Sequence, residues 1–137
     1  MEGGRRYDLT FNRVYPAGLP VGARIVTNPG NAWANWTATI YGACTDPHLT
    51  INDVLMDFGR NGGVTLAVGE YITVDTRTRT TLRNGQPDDS VYDRTNYTEW
   101  SWDQLRLPPG QNTLLLGADT GSPTFSMLFC FDPTYLL

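Results

Sequence analysis

The sequence predicts an all-β protein, built as an antiparallel β-sandwich or barrel. Three observations predict it. Apolar and polar residues alternate with a period of two rather than 3.6. Turn residues recur at roughly 8–12-residue spacing, the rhythm of short strands joined by tight connections. No segment carries an apolar helical stripe of about ten residues or more.

Taken in order, Ala23–Asn28 reads as a strand stopped by Asn28-Pro29-Gly30, and Trp36–Ala43 as a second stopped by Thr45-Asp46-Pro47. His48–Asn52 and Val54–Phe58 follow closely. Gly59–Gly63 is a loop tip whose Asn61-Gly62 pair suits positive φ. Val64–Val68 leads through Gly69-Glu70 into Tyr71–Asp75, and Arg79–Asn84 is the returning arm of a hairpin closed by Asn84-Gly85. Gln86–Asn96 is polar and acidic, a long exposed loop. Thr98–Leu107 has irregular apolar spacing that suits a strand or a short helical turn. Asn112–Ala118 and Thr124–Asp132 are the last strands, giving roughly eight to ten in all. Residues 1–20 read as an arm or linker and 21–137 as the sandwich domain. Within the arm Tyr7, Leu9 and Phe11 alternate with polar neighbours, as a strand added to a neighbour's sheet edge would.

Composition narrows the function. The 137 residues suit one domain with its own core. A net charge of −4 argues against nucleic acid, whose phosphate backbone selects basic patches. All ten basic residues are Arg, a side chain suited to protein interfaces. No apolar run reaches the roughly 20 residues of a membrane span, and the N-terminal sequence lacks the apolar stretch of a secretory signal. Without such a signal the two sequons, at Asn35 and Asn96, read as chance.

Chemistry finds little footing. Cys44 and Cys130 lie in apolar strand-like runs and read as buried thiols, with a disulfide between neighbouring strands left open. A single histidine, His48, and the absence of CxxC or HxxxH spacing predict no metal. The carboxylate pairs Asp53/Asp57, Glu70/Asp75 and Asp88/Asp89 sit in turns that fix no separation across a cleft. No GxSxG and no glycine loop before a helix occur, so neither a catalytic residue nor a cofactor is expected. Trp33, Trp36, Trp100 and Trp102 are core or interface anchors on general grounds. In a strand, Trp100 and Trp102 would share one face, and an exposed pair would offer a platform for sugar rings.

The order of landmarks is more specific than any one of them. Gly30-Asn31, Gly42, Asp46-Pro47, the strand Gly69-Glu70-Tyr71-Ile72-Thr73-Val74-Asp75, Asn84-Gly85 and Leu107-Pro108-Pro109-Gly110-Gln111-Asn112 follow one another between Gly22 and Phe131. In this order the chain resembles the C-terminal domain of siphophage distal tail proteins and related minor tail proteins. The resemblance implies a galectin-like jelly-roll sandwich acting as a non-enzymatic structural part of a virion tail tip, assembled in the host cytoplasm. Its partners would be other phage tail proteins and copies of itself in a symmetric ring, with a host cell-surface glycan as a further contact. Family members usually carry a preceding ring-forming domain. With residues 1–20 alone ahead of the sandwich, the chain is expected to be an excised domain or a short minor tail protein. The expected interface residues are Arg5, Arg6, Tyr7 and Phe11 of the arm and the loop acids Asp88, Asp89 and Asp93. A carbohydrate-binding module using Trp100 or Trp102 is the alternative, a fold-level analogy with galectins.

The hairpin around Tyr71–Asp75 is expected to be central in the sandwich. Ile72 and Val74 would face inward, and Asp75 would form a cross-strand charge ladder with Arg77 and Arg79.

Overall fold

The computed structural model describes residues 7–12 and 20–133. Twelve strands occur among them: β1 Tyr7–Asn12, β2 Pro20–Asn28, β3 Trp36–Tyr41, β4 Cys44–Thr45, β5 His48–Ile51, β6 Val54–Asp57, β7 Thr65–Leu66, β8 Tyr71–Asp75, β9 Thr80–Arg83, β10 Gly110–Gly117, β11 Thr120–Gly121 and β12 Ser126–Phe131. They form a five-stranded sheet, β1-β12-β3-β8-β9, a four-stranded sheet, β2-β10-β5-β6, and a small sheet, β11-β4-β7. All the pairings are antiparallel. Each large sheet interleaves early with late strands, so that the chain wraps as a jelly roll. The strands with no counterpart in the sandwich expected from the sequence are β1, β4 and β11, the last two of two residues each.

Alternation decides which face is buried. In β3, Trp36, Ala38 and Ile40 point inward while Thr37, Thr39 and Tyr41 point out. Ile72 and Val74 of β8 and Met127, Phe129 and Phe131 of β12 join them. From the other sheet come Val26, Leu49, Ile51, Met56, Leu114 and Leu116, and the two inner faces make one continuous core. Trp36 lies 5.1 Å from Phe129, ring centre to ring centre, near the middle of it.

The turns follow from short polar side chains. Asn28 is buried, accepts from Gly30 N–H and donates to the carbonyls of Ala32 and Leu107, which fixes the Asn-Pro-Gly bend. Asn112 Nδ2 likewise donates to the carbonyls of Pro108 and Gly110, closing the Pro-Pro-Gly turn. Asn61, Gly62 and Gly63 all take positive φ at the loop tip, as the Asn-Gly signal requires.

Three expectations are corrected. The segment placed in an arm outside the sandwich supplies β1, whose residues Tyr7–Asn12 pair with Phe131–Ser126 of the same chain. Its alternation does make it an edge strand, but the free edge of β12 lies within its own sheet. The β8–β9 hairpin is peripheral rather than central, because β9 ends the five-stranded sheet. The charge ladder is absent. The chain turns straight after Asp75, whose Oδ1 accepts from the N–H groups of Arg77 and Thr78. Arg79, at φ 59°, instead reaches Asp103 at 3.6 Å, both side chains well exposed. The ion pair that ties this hairpin down is Arg83–Glu70, 3.1 Å. Hydrogen bonds from Ala67 N–H and Arg83 hold the Glu70 carboxyl below the ordinary glutamate value.

Cys44 and Cys130 are both buried, and neither belongs to a disulfide. Burial, reinforced by the nearby Asp46 carboxylate, pushes the Cys44 thiol up to about 12. The folded state therefore keeps this proton at pH values where the unfolded chain has released it. Stability from this group is intact below the ordinary thiol value and declines as pH rises from there towards 12. The expected result is a urea midpoint that drops between about pH 8 and about pH 10.5, with a smaller drop in Cys44→Ala; equal drops would contradict it.

Candidate functional site

Two surfaces carry side chains with binding chemistry. The first is the loop end around Trp100 and Trp102. These residues do not share a strand face. Ser101 caps a short helix, α1 (Trp102–Leu105), through a capping box in which Gln104 N–H donates to Ser101 Oγ and Ser101 N–H donates to Gln104 Oε1. The Ser-x-x-Gln spacing overrides the alternation and turns the two indoles perpendicular, 5.0 Å apart and at 85°. Trp100 is buried, and its Nε1–H donates to Asn96 Oδ1 at 3.0 Å. Trp102 is half-buried.

Around them runs an aromatic column. Tyr92, on a 3-10 turn (Tyr92–Arg94), stacks with Tyr97 at 5.0 Å and with Trp102 at 6.2 Å, and meets Trp100 edge-on at 5.9 Å. The Arg60 guanidinium lies over Tyr97 at 5.5 Å. Trp100 therefore offers no open ring, while Trp102 has Tyr92 stacked on it and stays half-buried. Asn96 is also engaged: it accepts from Asp57 N–H and from Trp100, and donates to the Leu55 carbonyl.

The expected interface residues that the structure describes do not gather in one patch. Arg5 and Arg6 lie outside the described residues. Tyr7 and Phe11 belong to β1 at one edge of the five-stranded sheet. Asp88 and Asp89 are exposed on the turn after β9, the opposite edge, and Asp93 is exposed on the 3-10 turn beyond it.

The second surface is the outer face of the five-stranded sheet. Cross-strand register puts Tyr41 beside Tyr71, Thr39 beside Thr73, and Thr37 beside Asp75. The tyrosine rings are 6.0 Å apart. At the Thr37 end a cleft of about 180 Å³ is lined by Asn35, Thr37, Asp75, Arg77, Cys130 and Asp132, with Trp36 and Phe131 also bordering it. Two of its side chains are held in place: Asn35 Oδ1 accepts from Thr76 Oγ1 at 3.0 Å, and Asp75 Oδ1 caps the hairpin turn. Among the described residues, Thr37, Arg77 and Asp132 make no side-chain hydrogen bond or ion pair. These residues come from the ends of separate strands, so no local motif marks them; alternation could have placed Thr37, Thr39 and Tyr41 on one face. No cluster of metal-ligating side chains occurs among the described residues.

The whole architecture has a counterpart among solved structures, in a protein from the adsorption apparatus of bacteriophages that infect Gram-positive bacteria. That protein is SPP1 Dit, presented as a paradigm of the hub of such an apparatus; the match has a TM-score of 0.58 at 18% sequence identity and covers 98% of this chain and 48% of SPP1 Dit. The chain thus spans less than half the length of that protein. At this identity the likeness establishes the fold, an antiparallel β-sandwich. No protein-family model matches the sequence, and no curated protein matches it.

Proposed function

We propose that this chain is a structural module of a siphophage tail tip, of the distal or minor tail protein type, with a galectin-like sandwich. It acts by packing rather than catalysis, burying sandwich edges and loops against other tail proteins and against copies of itself in a closed ring. The observation that carries this reading is the fold shared with SPP1 Dit over 98% of the chain. The family-like landmarks support it independently, since they fall on turns with a geometric need for those residues. Asp46, Gly69, Asn84, Gly85 and Gly110 all have positive φ. Gold labelling of a tagged chain in purified virions, viewed by electron microscopy, is expected to mark the tail end. Virions with label elsewhere or none would overturn the reading.

A further inference from the structure

We infer that the segment from Gln86 to Trp100 is a strap that shuts the free edges of both large sheets on one side of the sandwich, with Asn96 as its latch on β6. The inference rests on the chain's own hydrogen bonds and not on the tail assignment.

The last strand of a sheet presents a row of unpaired N–H and C=O groups, a template for the strand of another chain. β9 ends the five-stranded sheet and β6 ends the four-stranded one. One stretch of chain occupies both. Along β9, Arg83 N–H donates to the Asp89 carbonyl and Val91 N–H to the Thr81 carbonyl, each at 2.9 Å, and Ser90 bridges to Leu82. A little further on, the same stretch reaches β6, where Asn96 N–H donates to the Asp57 carbonyl at 3.1 Å. The Asn96 side chain completes the cover. Its Oδ1 accepts from Asp57 N–H at 2.9 Å, and its Nδ2 donates to the Leu55 carbonyl at 3.0 Å. A carboxamide offers an acceptor and a donor side by side, as a peptide group does. Asn96 thus stands where the backbone of a next strand would stand.

The latch is held from behind. The buried Trp100 donates its Nε1–H to the same Oδ1 at 3.0 Å, which fixes the way the amide faces. The outside of the strap adds a second barrier. Asp88, Asp89, Asp93 and Glu99 are all exposed on it. Two copies meeting at this side would oppose like charges. In this role the acids repel a neighbour rather than bind one. Strand-to-strand contact is left to β1 and β2, at the opposite ends of the two sheets.

The edge under the latch suits a second copy of the chain. β6 reads Val-Leu-Met-Asp, and Leu55 is 42% exposed on it. The Leu55 carbonyl and both Asp57 backbone groups face the strap, so by antiparallel alternation the Leu55 N–H faces the same way. Antiparallel pairing of β6 with the β6 of a second copy would use these groups in both directions, because a two-fold contact is self-complementary.

The test is Asn96→Ala, read by amide hydrogen exchange and by light scattering after size exclusion. Exchange at Asp57 is expected to speed up about ten-fold, as loss of a hydrogen bond to that amide allows. The molar mass is expected to rise above that of the wild type at the same concentration. Adding Leu55→Pro removes an N–H from the exposed side alone, a place where edge strands accept proline, and should restore the wild-type mass. Asn96→Asp keeps the acceptor for Asp57 and loses the donor to Leu55. It should show the same changes in smaller measure, and it carries the test if Asn96→Ala does not fold. Unchanged exchange at Asp57, an unchanged mass, association that survives Leu55→Pro, or loss of the fold in both Asn96 variants would each overturn the proposal. None of these outcomes bears on where the chain sits in a virion, which the labelling experiment decides separately.

Discussion

Replacing Trp36 with alanine is expected to remove about 3–5 kcal/mol of stability, the range for emptying a large aromatic from a packed core. The side chain is 2% exposed, packs on Phe129, and donates its indole N–H to the carbonyl of Leu105 at the end of α1. Truncation therefore opens a cavity between the sheets and strands a buried carbonyl together. A domain of this kind has about 5–15 kcal/mol in total, so the variant approaches unfolding at room temperature. Trp36→Phe separates the two effects. It keeps a ring against Phe129 but leaves Leu105 unpaired, a cost of about 1–3 kcal/mol for the orphaned acceptor in addition to the smaller ring. Urea unfolding followed by far-ultraviolet circular dichroism checks the order: the midpoint should fall in Trp36→Phe and fall further in Trp36→Ala. Equal midpoints for the wild type and Trp36→Ala would mean that the indole is not a core anchor.

The second large effect is at Gly63. Its φ of +71° lies in the left-handed region, and a Cβ there would collide with Asp46 Oδ1 and crowd its Cγ at 2.8 Å. That oxygen accepts from Val64 N–H at 3.0 Å, and Asp46 N–H returns a bond to the Val64 carbonyl at 2.7 Å. Alanine must therefore displace the carboxylate as well as adopt a strained backbone, which alone costs about 1–2 kcal/mol. The Gly63 carbonyl also accepts from Arg94 on the 3-10 turn, so the disturbance reaches the Tyr92 column. Gly69→Ala is the control: it has φ +88°, but a Cβ there would meet no atom within 4 Å. Gly63→Ala should lower the urea midpoint clearly more than Gly69→Ala. The reverse order would show that the Asp46 contact gives way without cost.

These two sites also show what a sequence can and cannot reveal. The strand at Trp36–Tyr41 is legible because alternation over six residues is a local signal with one physical reading. The loop tip at Asn61-Gly62 is legible for the same reason, since few other pairs tolerate positive φ. The two-residue strands β4 and β11 are not, because period two has no meaning over so short a run; they exist through long-range pairing. The partner of β1 was hidden likewise. Alternation showed an edge strand, but nothing in Tyr7–Asn12 says whether the waiting edge belongs to a neighbour or to β12. Around Asp75 the failure was one of scale. Charges at alternating positions suggest a ladder only if the strand continues, and a carboxylate that caps its own turn ends the strand there. At Trp100–Trp102 the deciding signal was present, in the Ser101–Gln104 capping box, but it competes with the alternation of the indoles. The cleft had no local signature, because Asn35, Arg77 and Asp132 meet only once the strand ends converge.

The pairing of β1 with β12 carries an architectural consequence. Tyr7, where the first strand starts, lies opposite Phe131, where the last one finishes. The chain thus enters and leaves the sandwich at neighbouring points, like a pendant on a single clasp. Such a unit can be grafted into a loop of a larger polypeptide without pulling that loop apart. Its free flanks, the outer sheet face among them, would then be carried clear of whatever it hangs from.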